Sequence, residues 1–395
     1  MSMPFPEARR AWTVLTLGVA AQTAGTVFVS VPAFLIPLLH TERGLSLAQA
    51  GLLAATPTIG MVLTLIAWGA LADRIGEHWV IAGGLALVAL ASVGAILSTW
   101  YVSLGIFFLL GGMAAASGNA ASGRVVVGWF PKDRRGLAMG IRQTSQPLGV
   151  TIAAVTVPTL ASDGGIGAAL IVPLALTGTL AVACAIGIRD PPRAARLPGM
   201  PSTNPYRSSG FLWRIHAVSL LLVFPQFTLS IFGLVWLVTE LRWSPLAAGL
   251  LVGASQFVGA IGRIAVGVLS DRVGSRVRPL RWVAMSASVV MLLLAALGEP
   301  RWAAAAIVLV IAMTVTVADN GLAFTSVAEM AGPFWAGRAL GAQNTGQFLA
   351  ASVVGPAVGA LIGLLGYPLA FAAVALLPAA AIPLIPSEAA EHDRL

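Results

Sequence analysis

Gly69-Ala70-Leu71-Ala72-Asp73-Arg74-Ile75-Gly76 is matched 198 residues later by Gly267-Val268-Leu269-Ser270-Asp271-Arg272-Val273-Gly274, in a chain of 395 residues. The spacing is half the chain, so the sequence reads as one unit duplicated and joined in the middle. Each copy follows an apolar run long enough to cross a bilayer and ends in charge, as a helix leaving a membrane does. The alignment extends beyond the octapeptide. Ser46-Leu47-Ala48-Gln49-Ala50-Gly51 lines up with Ser244-Pro245-Leu246-Ala247-Ala248-Gly249 at the same offset, and Gln143-Thr144-Ser145-Gln146 pairs with Asn344-Thr345-Gly346-Gln347 at an offset of 201. Asn119 and Asn320 pair at that second offset.

Composition agrees with an integral membrane protein: 58% of residues are hydrophobic and 10% charged, against about 25% charged in an ordinary soluble domain. The net charge of +8 does not point to nucleic acid, because the basic residues are scattered singly through short loops and form no stripe. Cys184 is the one cysteine, so a disulfide within the chain is excluded, and so is a metal site built on cysteine.

Apolar runs bounded by Gly, Pro and charge predict twelve spans, at 11–39, 47–71, 79–98, 102–129, 137–160, 167–188, 213–239, 246–269, 281–297, 302–328, 338–363 and 367–385. Residues 189–212 separate the two sets of six. Arg189, Arg193, Arg196 and Arg207 lie there among Pro191, Pro192, Pro198, Pro201 and Pro205, and no spanning helix continues through such a stretch. Two bundles, 1–188 and 213–395, joined by a cytoplasmic linker at 189–212, are therefore expected. Arg9 and Arg10 beside Pro4 and Pro6 lack the small-residue cleavage site of a secretory signal, so the first span is expected to stay in the mature protein. With both termini inside, cytoplasmic segments hold 17 Lys or Arg, while Arg43, Arg242 and Arg301 mark the outer loops; this bias orients the chain in the cytoplasmic membrane. Most tryptophans fall at span boundaries, where aromatic side chains anchor at headgroup depth.

The Gly-x-Leu-x-Asp-Arg-x-Gly loop, found after spans two and eight, resembles the signature loop of the major facilitator superfamily, and the resemblance covers essentially the whole chain. It implies an all-α membrane protein of two six-helix bundles about a pseudo-twofold axis, with a central cavity that opens alternately to each side. The stretch Arg124-x-x-x-x-Trp129-Phe130-Pro131-x-x-x-Arg135-Gly136 is similar to the turn between spans four and five of members that carry organic anions. Gly355-Pro356-x-x-Gly359 in span eleven is similar to an element of drug-proton antiporters. Those proteins carry it in span five, where this chain reads Gln146-Pro147-Leu148-Gly149, which counts against a drug exporter.

The loop also has a physical logic of its own. Asp73 and Asp271 sit at the C-terminal ends of their helices, where the macrodipole disfavours negative charge, so each needs a cation or the N-terminus of another helix. The resemblance implies that Asp73 faces the start of span eleven, near Gly337 and Arg338. Pseudo-symmetry then sets Asp271 against the start of span five, near Arg135 and Gly136. With Gly69, Gly76, Gly267 and Gly274 permitting close backbone approach, and with Arg74 and Arg272, these residues form a candidate cytoplasmic gate. A plain topology anchor is the alternative.

Four charges remain within spans away from their first two residues: Arg124, Arg142, Arg263 and Asp319. Charge at membrane depth is costly and marks a cavity, a partner or a pathway. Arg263 is read as snorkelling or joining the gate, and Arg124 as divided between gate and ligand. Arg142, with Gln143 and Gln146, forms a polar face that suits a cavity. Asp319 is a candidate proton carrier, with a fixed ion pair as its alternative; His216 is expected to be solvated at a boundary. The candidate substrate ligands are Arg142, Gln143, Gln146, Arg124, Asn119, Gln22, Thr26, Gln226, Gln256, Asn320, Asn344 and Gln347. Interhelical hydrogen bonding is the competing role for the amides.

No phosphate-binding Gly-x-x-x-x-Gly-Lys loop, His-Glu-x-x-His site or Gly-x-Ser-x-Gly elbow is present. An enzyme is not expected, nor any cofactor or metal. The expectation is a monomeric secondary transporter in the lipid bilayer, moving a small organic anion such as a carboxylate with a proton. A proton-coupled drug or metabolite exporter is the runner-up, and a sensor on a transporter scaffold is more remote.

Overall fold

The computed structural model describes residues 5–41, 44–45, 47–191, 204–208, 210–298 and 304–392. Arg43, Ser46, Arg301, Trp302, Arg394 and most of the expected linker, including Arg193, Arg196, Pro198 and Pro201, lie outside them. Helix accounts for nearly all the rest, and no strand occurs among the described residues. The elements are α1 (Phe5–Phe34), α2 (Ile36–Thr41), α3 (Leu47–Ile75), α4 (Glu77–Ile96), α5 (Tyr101–Trp129), α6 (Arg135–Arg142), α7 (Ser145–Gly187), α8 (Pro205–Ser208), α9 (Phe211–Thr239), α10 (Pro245–Val273), α11 (Val277–Gly298), α12 (Ala304–Val315), α13 (Asp319–Ala331), α14 (Ala336–Ala381) and α15 (Glu388–His392).

Ten stretches among the described residues are long and apolar enough to cross a membrane. Two of them contain a break that divides each into two spans, so the count of twelve stands. Within α7 the break is at Gly164 and Gly165, the latter at φ 69°, and within α14 it is at Gly366, at φ 77°. Both values lie in the left-handed region that only glycine enters without strain. Gly165 and Gly366 are 201 residues apart, so the duplication has preserved the turn along with the helices.

Three spans differ from expectation. The first bends at Leu35, after Pro32, and ends in the short α2. The fifth does not run unbroken over 137–160, because Gln143 and Thr144 part α6 from α7. The tenth is interrupted at Thr316–Ala318, between α12 and α13. Neither of these last two breaks contains Gly or Pro, which is why the sequence reads straight through them.

The chain gathers into two compact units. The first holds Met1–Phe130, Thr144–Met200 and Pro333–Thr345; the second holds Pro131–Gln143, Pro201–Gly332 and Gly346–Leu395. The head of span five thus packs with the second unit and the head of span eleven with the first.

Inside the first unit, Phe28 meets Phe108 edge-on at 5.8 Å among Val27, Val31, Leu53 and Leu170. A second cluster there joins Val14, Ile81, Val125 and Cys184. In the second unit, Trp236 meets Phe371 at 5.6 Å beside Met291 and Leu309. Helix packing in lipid has no hydrophobic driving force of its own and relies on close van der Waals contact through small residues. Accordingly Gly112 abuts the Pro57 backbone where α3 meets α5, and a Cβ there would collide with it. Large apolar side chains such as Leu63, Leu90, Leu250 and Leu364 are 65–81% exposed, which suits a surface that lipid covers.

Candidate functional site

In the first unit, Asp73 near the end of α3 accepts hydrogen bonds from the backbone amides of Gly337 at 3.0 Å and Arg338 at 3.2 Å. These are first-turn amides of α14, unbonded within their own helix and at its positive pole. Gly69, one turn earlier, packs against Gly337 so closely that a Cβ on either would strike the other's carbonyl. Arg124 on α5 binds Asp73 at 2.8 Å and Glu77, the first residue of α4, also at 2.8 Å, with all three side chains at most 6% exposed. Asp190 accepts the amide of His78 at 2.9 Å and so caps the start of α4. Arg338 lies 3.6 Å from Asp73 and 4.7 Å above the Trp335 ring.

The second unit repeats the arrangement. Asp271 accepts from Gly136 and Leu137 in the first turn of α6, both at 2.9 Å, and Gly267 packs on Gly136 as Gly69 does on Gly337. Gly136 and Gly140 abut α10 while Gly337 and Gly341 abut α3, a small-xxx-small spacing that recurs in both copies. Arg276, just before α11, binds Asp271 at 2.5 Å, Glu329 at 3.4 Å and the Lys132 carbonyl at 2.6 Å. Burial disfavours the Arg276 charge, but Glu329 and Asp271 outweigh it and raise its pKa. Arg135 binds Glu329 at 3.2 Å. Glu391 accepts from Ser275 Oγ at 2.7 Å and the Arg276 amide at 2.8 Å.

The two copies differ in the order of their charges. In the first, the acid stands at the head of the third span and the arginine on the fourth, as Glu77 and Arg124. In the second, the head of the span carries Arg276 and the fourth span's counterpart carries Glu329.

Several expectations change here. Arg124 is a substrate-ligand candidate by sequence, yet its guanidinium is committed to Asp73 and Glu77. A Cβ on Gly274 would meet nothing within 4 Å; this residue closes α10 at φ 69°, so its glycine serves conformation and not close approach. Arg74 and Arg272 are exposed and take part in none of the ion pairs described. His216 is half-buried and bonds the Tyr206 hydroxyl at 2.9 Å instead of standing in solvent. Glu77, Asp190, Arg276, Glu329 and Glu391 escape a reading of the sequence because they are not marked out as charges within spans. One signal is available: Asp190 and Glu391 are 201 residues apart, as Gln146 and Gln347 are.

At membrane depth the polar candidates fall into separate clusters. In the first unit, Gln22 donates to Asn119 at 2.7 Å and accepts from Ser122 at 3.2 Å. Thr26 turns its hydroxyl back onto the Gln22 carbonyl, Gln146 is exposed, and the Asn344 amide bonds the Leu340 carbonyl of its own helix. In the second unit, Asn320 donates to Gln226 at 3.0 Å, and Gln347 donates to Asn320 at 3.0 Å and Ser219 at 2.7 Å. A Gln–Asn pair between the first and fourth spans thus occurs in each copy. Gln256 is half-buried on α10.

The helix breaks of the second unit hold the remaining charges. Arg142, the last residue of α6, is 1% exposed, bonds Gln143 Oε1 at 2.9 Å and lies 5.3 Å over the Phe324 ring. Arg263 does not snorkel. It is 6% exposed and donates to the Gln143 carbonyl at 2.9 Å and the Val317 carbonyl at 3.4 Å. Asp319 begins α13 with both carboxylate oxygens buried beside the amides of Asp319 and Asn320 at that helix's N-terminus. No group of three or more His, Cys, Asp or Glu among the described residues could hold a metal.

The sequence profile described as Major Facilitator Superfamily matches residues 16–355. The chain is 46% identical over 377 residues to an uncharacterized MFS-type transporter of Mycobacterium tuberculosis, covering 95% of this chain and 84% of that protein. It is 32% identical over 158 residues to "Probable anion transporter 4, chloroplastic" of Arabidopsis thaliana, covering 39% of this chain and 28% of that one. The crystal structure of the human organic anion transporter MFSD10 shares the fold, with a TM-score of 0.75 at 17% identity over 97% of this chain and 100% of that one. The repeated signature loops, the twelve spans and these relatives together make the chain a member of the Major Facilitator Superfamily, a multi-pass membrane transporter of a small solute.

Proposed function

We propose that this transporter carries a small organic anion, a carboxylate in the simplest case, by alternating access with a proton as the coupling ion. Arg142 carries the reading. A wholly buried guanidinium at membrane depth is retained against its desolvation cost when it serves a pathway, and a planar donor fork suits a carboxylate. Gln143 beside it, with Gln226, Asn320 and Gln347, supplies amides that can bind the anion's remaining lone pairs. Gln22, Thr26, Asn119, Gln146 and Asn344 in the first unit and Gln256 in the second are further candidate solute ligands. The partial relative named as a probable anion transporter points the same way. Asp319 is the proton carrier, an acid buried at membrane depth, where a charge marks a pathway.

The latches of Asp73 and Asp271 act as the cytoplasmic gate, with Gly69, Gly76, Gly267, Arg135 and Arg338, and Arg124 belongs to that gate. The chain works as a monomer in the cytoplasmic membrane with both termini inside. Proton-driven export of drug-like cations or metabolites is the second reading, favoured by Asp319. Thermal stabilisation of the purified protein by small carboxylates, phosphorylated metabolites and lipophilic cations at two pH values separates the two, because a ligand of the folded state raises stability. Stabilisation by carboxylates that vanishes in Arg142→Ala supports anion transport. Stabilisation by lipophilic cations that depends on Asp319 overturns it.

A further inference from the structure

We infer that the first unit holds a binding groove for one acyl chain of an anionic phospholipid, with the lipid phosphate at Arg74. α3 and α4 each pack along α5 but scarcely on one another, which leaves a furrow of about 490 Å³ between them. Thr64 and Leu71 of α3 form one wall, Leu87 and Leu90 of α4 the other, and Met113 and Ala114 of α5 the floor. The furrow opens sideways, toward the surface that lipid covers, since Leu87 and Leu90 are 48% and 65% exposed. Its polar groups are already engaged. Thr64 Oγ1 and Trp68 Nε1 both donate to the Met113 carbonyl, at 2.8 and 2.6 Å, so the indole satisfies its N–H inside the unit and lends its ring to the furrow. What is left of the lining is hydrocarbon, ring and thioether, which suits an acyl chain and not a hydrated solute.

Direction and length select the lipid. Phe107 packs on Gly94 so closely that a Cβ there would strike its ring, which shuts the furrow at the end away from the α3–α4 turn. Toward that turn the crease is open: a Cβ on Gly83, one turn from Leu87, would meet nothing within 4 Å. Thr64 and Arg74 are ten residues apart, about 15 Å of helix, which is half of a hydrocarbon core roughly 30 Å thick. That is the depth of one leaflet's chains. Thr64, Ala67, Leu71 and Arg74 recur at i, i+3, i+7 and i+10, along one side of α3. Arg74 is exposed, and the latch of Asp73 leaves it unused, so its charge can meet the phosphate of a lipid in the leaflet beside the turn. Trp79, on the α4 stripe of Gly83 and Leu87 and also exposed, stands at headgroup depth on the opposite lip. The duplication does not repeat this wall. At the offset of 198, Thr64 and Trp68 become Gly262 and Val266, and Gly262 lies against Thr314.

Native mass spectrometry of the full-length protein, delipidated in detergent and titrated with phosphatidylglycerol or phosphatidylcholine of the same chains, counts the lipid that stays bound. The wild type should retain one phosphatidylglycerol, with about a fivefold preference over phosphatidylcholine, the effect of one arginine beside an anionic lipid. Arg74→Gln should bring the two lipids level while a lipid still binds. Ala67→Trp fills the furrow from its α3 side and should abolish retention. Leu90→Trp, a second filling from the α4 wall in case the first prevents folding, should do the same. Leu63→Trp, on an exposed face of α3 outside the furrow, should retain lipid as the wild type does. Retention that survives in the filled variants, or that falls equally in Leu63→Trp, overturns the inference. So does a wild type that keeps no lipid or does not distinguish the two, and so does a preference that persists in Arg74→Gln.

Discussion

Arg124→Ala is the sharpest test of how the first unit is held together. Its guanidinium bonds Asp73 and Glu77, each at 2.8 Å, and the carboxylate side chains are 2% and 0% exposed. Asp73 keeps two amides of α14 after the truncation, but Glu77 loses its cation in a site sealed from water and is left facing the Asp190 carboxyl. Removing one member of a buried ion pair costs about 3–5 kcal/mol, most of it the stranded charge. For a unit of this size that corresponds to a fall in Tm of roughly 6–20 °C, at about 2–4 °C per kcal/mol. Glu77→Gln on the Arg124→Ala background removes the stranded charge and should recover at least about 1 kcal/mol, which a double-mutant cycle isolates. Thermal unfolding followed by intrinsic tryptophan fluorescence, without ligand, is the assay. A Tm within about 2 °C of wild type in Arg124→Ala, paired with weaker ligand stabilisation, would return Arg124 to the substrate and refute the argument.

Other expectations are more local. Gly69→Ala and Gly267→Ala each force a methyl into a facing backbone and should cost about 1–3 kcal/mol. Gly249→Ala on α10, where a Cβ meets nothing within 4 Å, should be neutral or stabilising by up to about 1 kcal/mol; the same melts compare all three. Glu391→Ala removes the acceptor of Ser275 and of the Arg276 amide and should cost about 1–2 kcal/mol, as loss of a helix cap does, with Arg276 rotamer populations by NMR as a second readout. Burial of Tyr206, outside the spans, pushes its phenol up from 10.0 to about 12. The unfolded chain then releases that proton first, so stability should fall as pH rises from 10 to 12, and Tyr206→Phe should remove that part of the slope in pH-dependent melts.

Covalent repetition makes some of this architecture readable in advance. The octapeptides and the offsets of 198 and 201 residues locate Asp73 and Asp271, and the acceptor problem at a helix C-terminus says that each needs a partner. Gly165 and Gly366 divide paired spans in a way composition also predicts. Among the partners, Asp190 and Glu391 are marked only by their 201-residue spacing, and Glu77, Arg276 and Glu329 are not readable, because ion pairing is decided by which helices pack and single charges at span ends look alike. The break at Gln143 is hidden for a different reason. No glycine or proline marks it, and the carbonyl it exposes is satisfied by Arg263, more than a hundred residues away. Arg124 reads ambiguously because its depth in span four suits a ligand as well as a structural pair.

The inverted charge order of the two copies bears on assembly during synthesis. A duplicated chain carries two loops and two sockets of the same shape, and shape alone does not tell them apart. Set into the second socket, the head of α4 would bring Glu77 to Glu329; set into the first, the segment before α11 would bring Arg276 to Arg124. Like charges in a dry site penalise both mispairings, an element of specificity built from repulsion. Glu77→Gln leaves Arg124 on Asp73 but removes the charge that Glu329 would repel, and the expected phenotype is a folding yield that falls further than the Tm of the correctly folded fraction does.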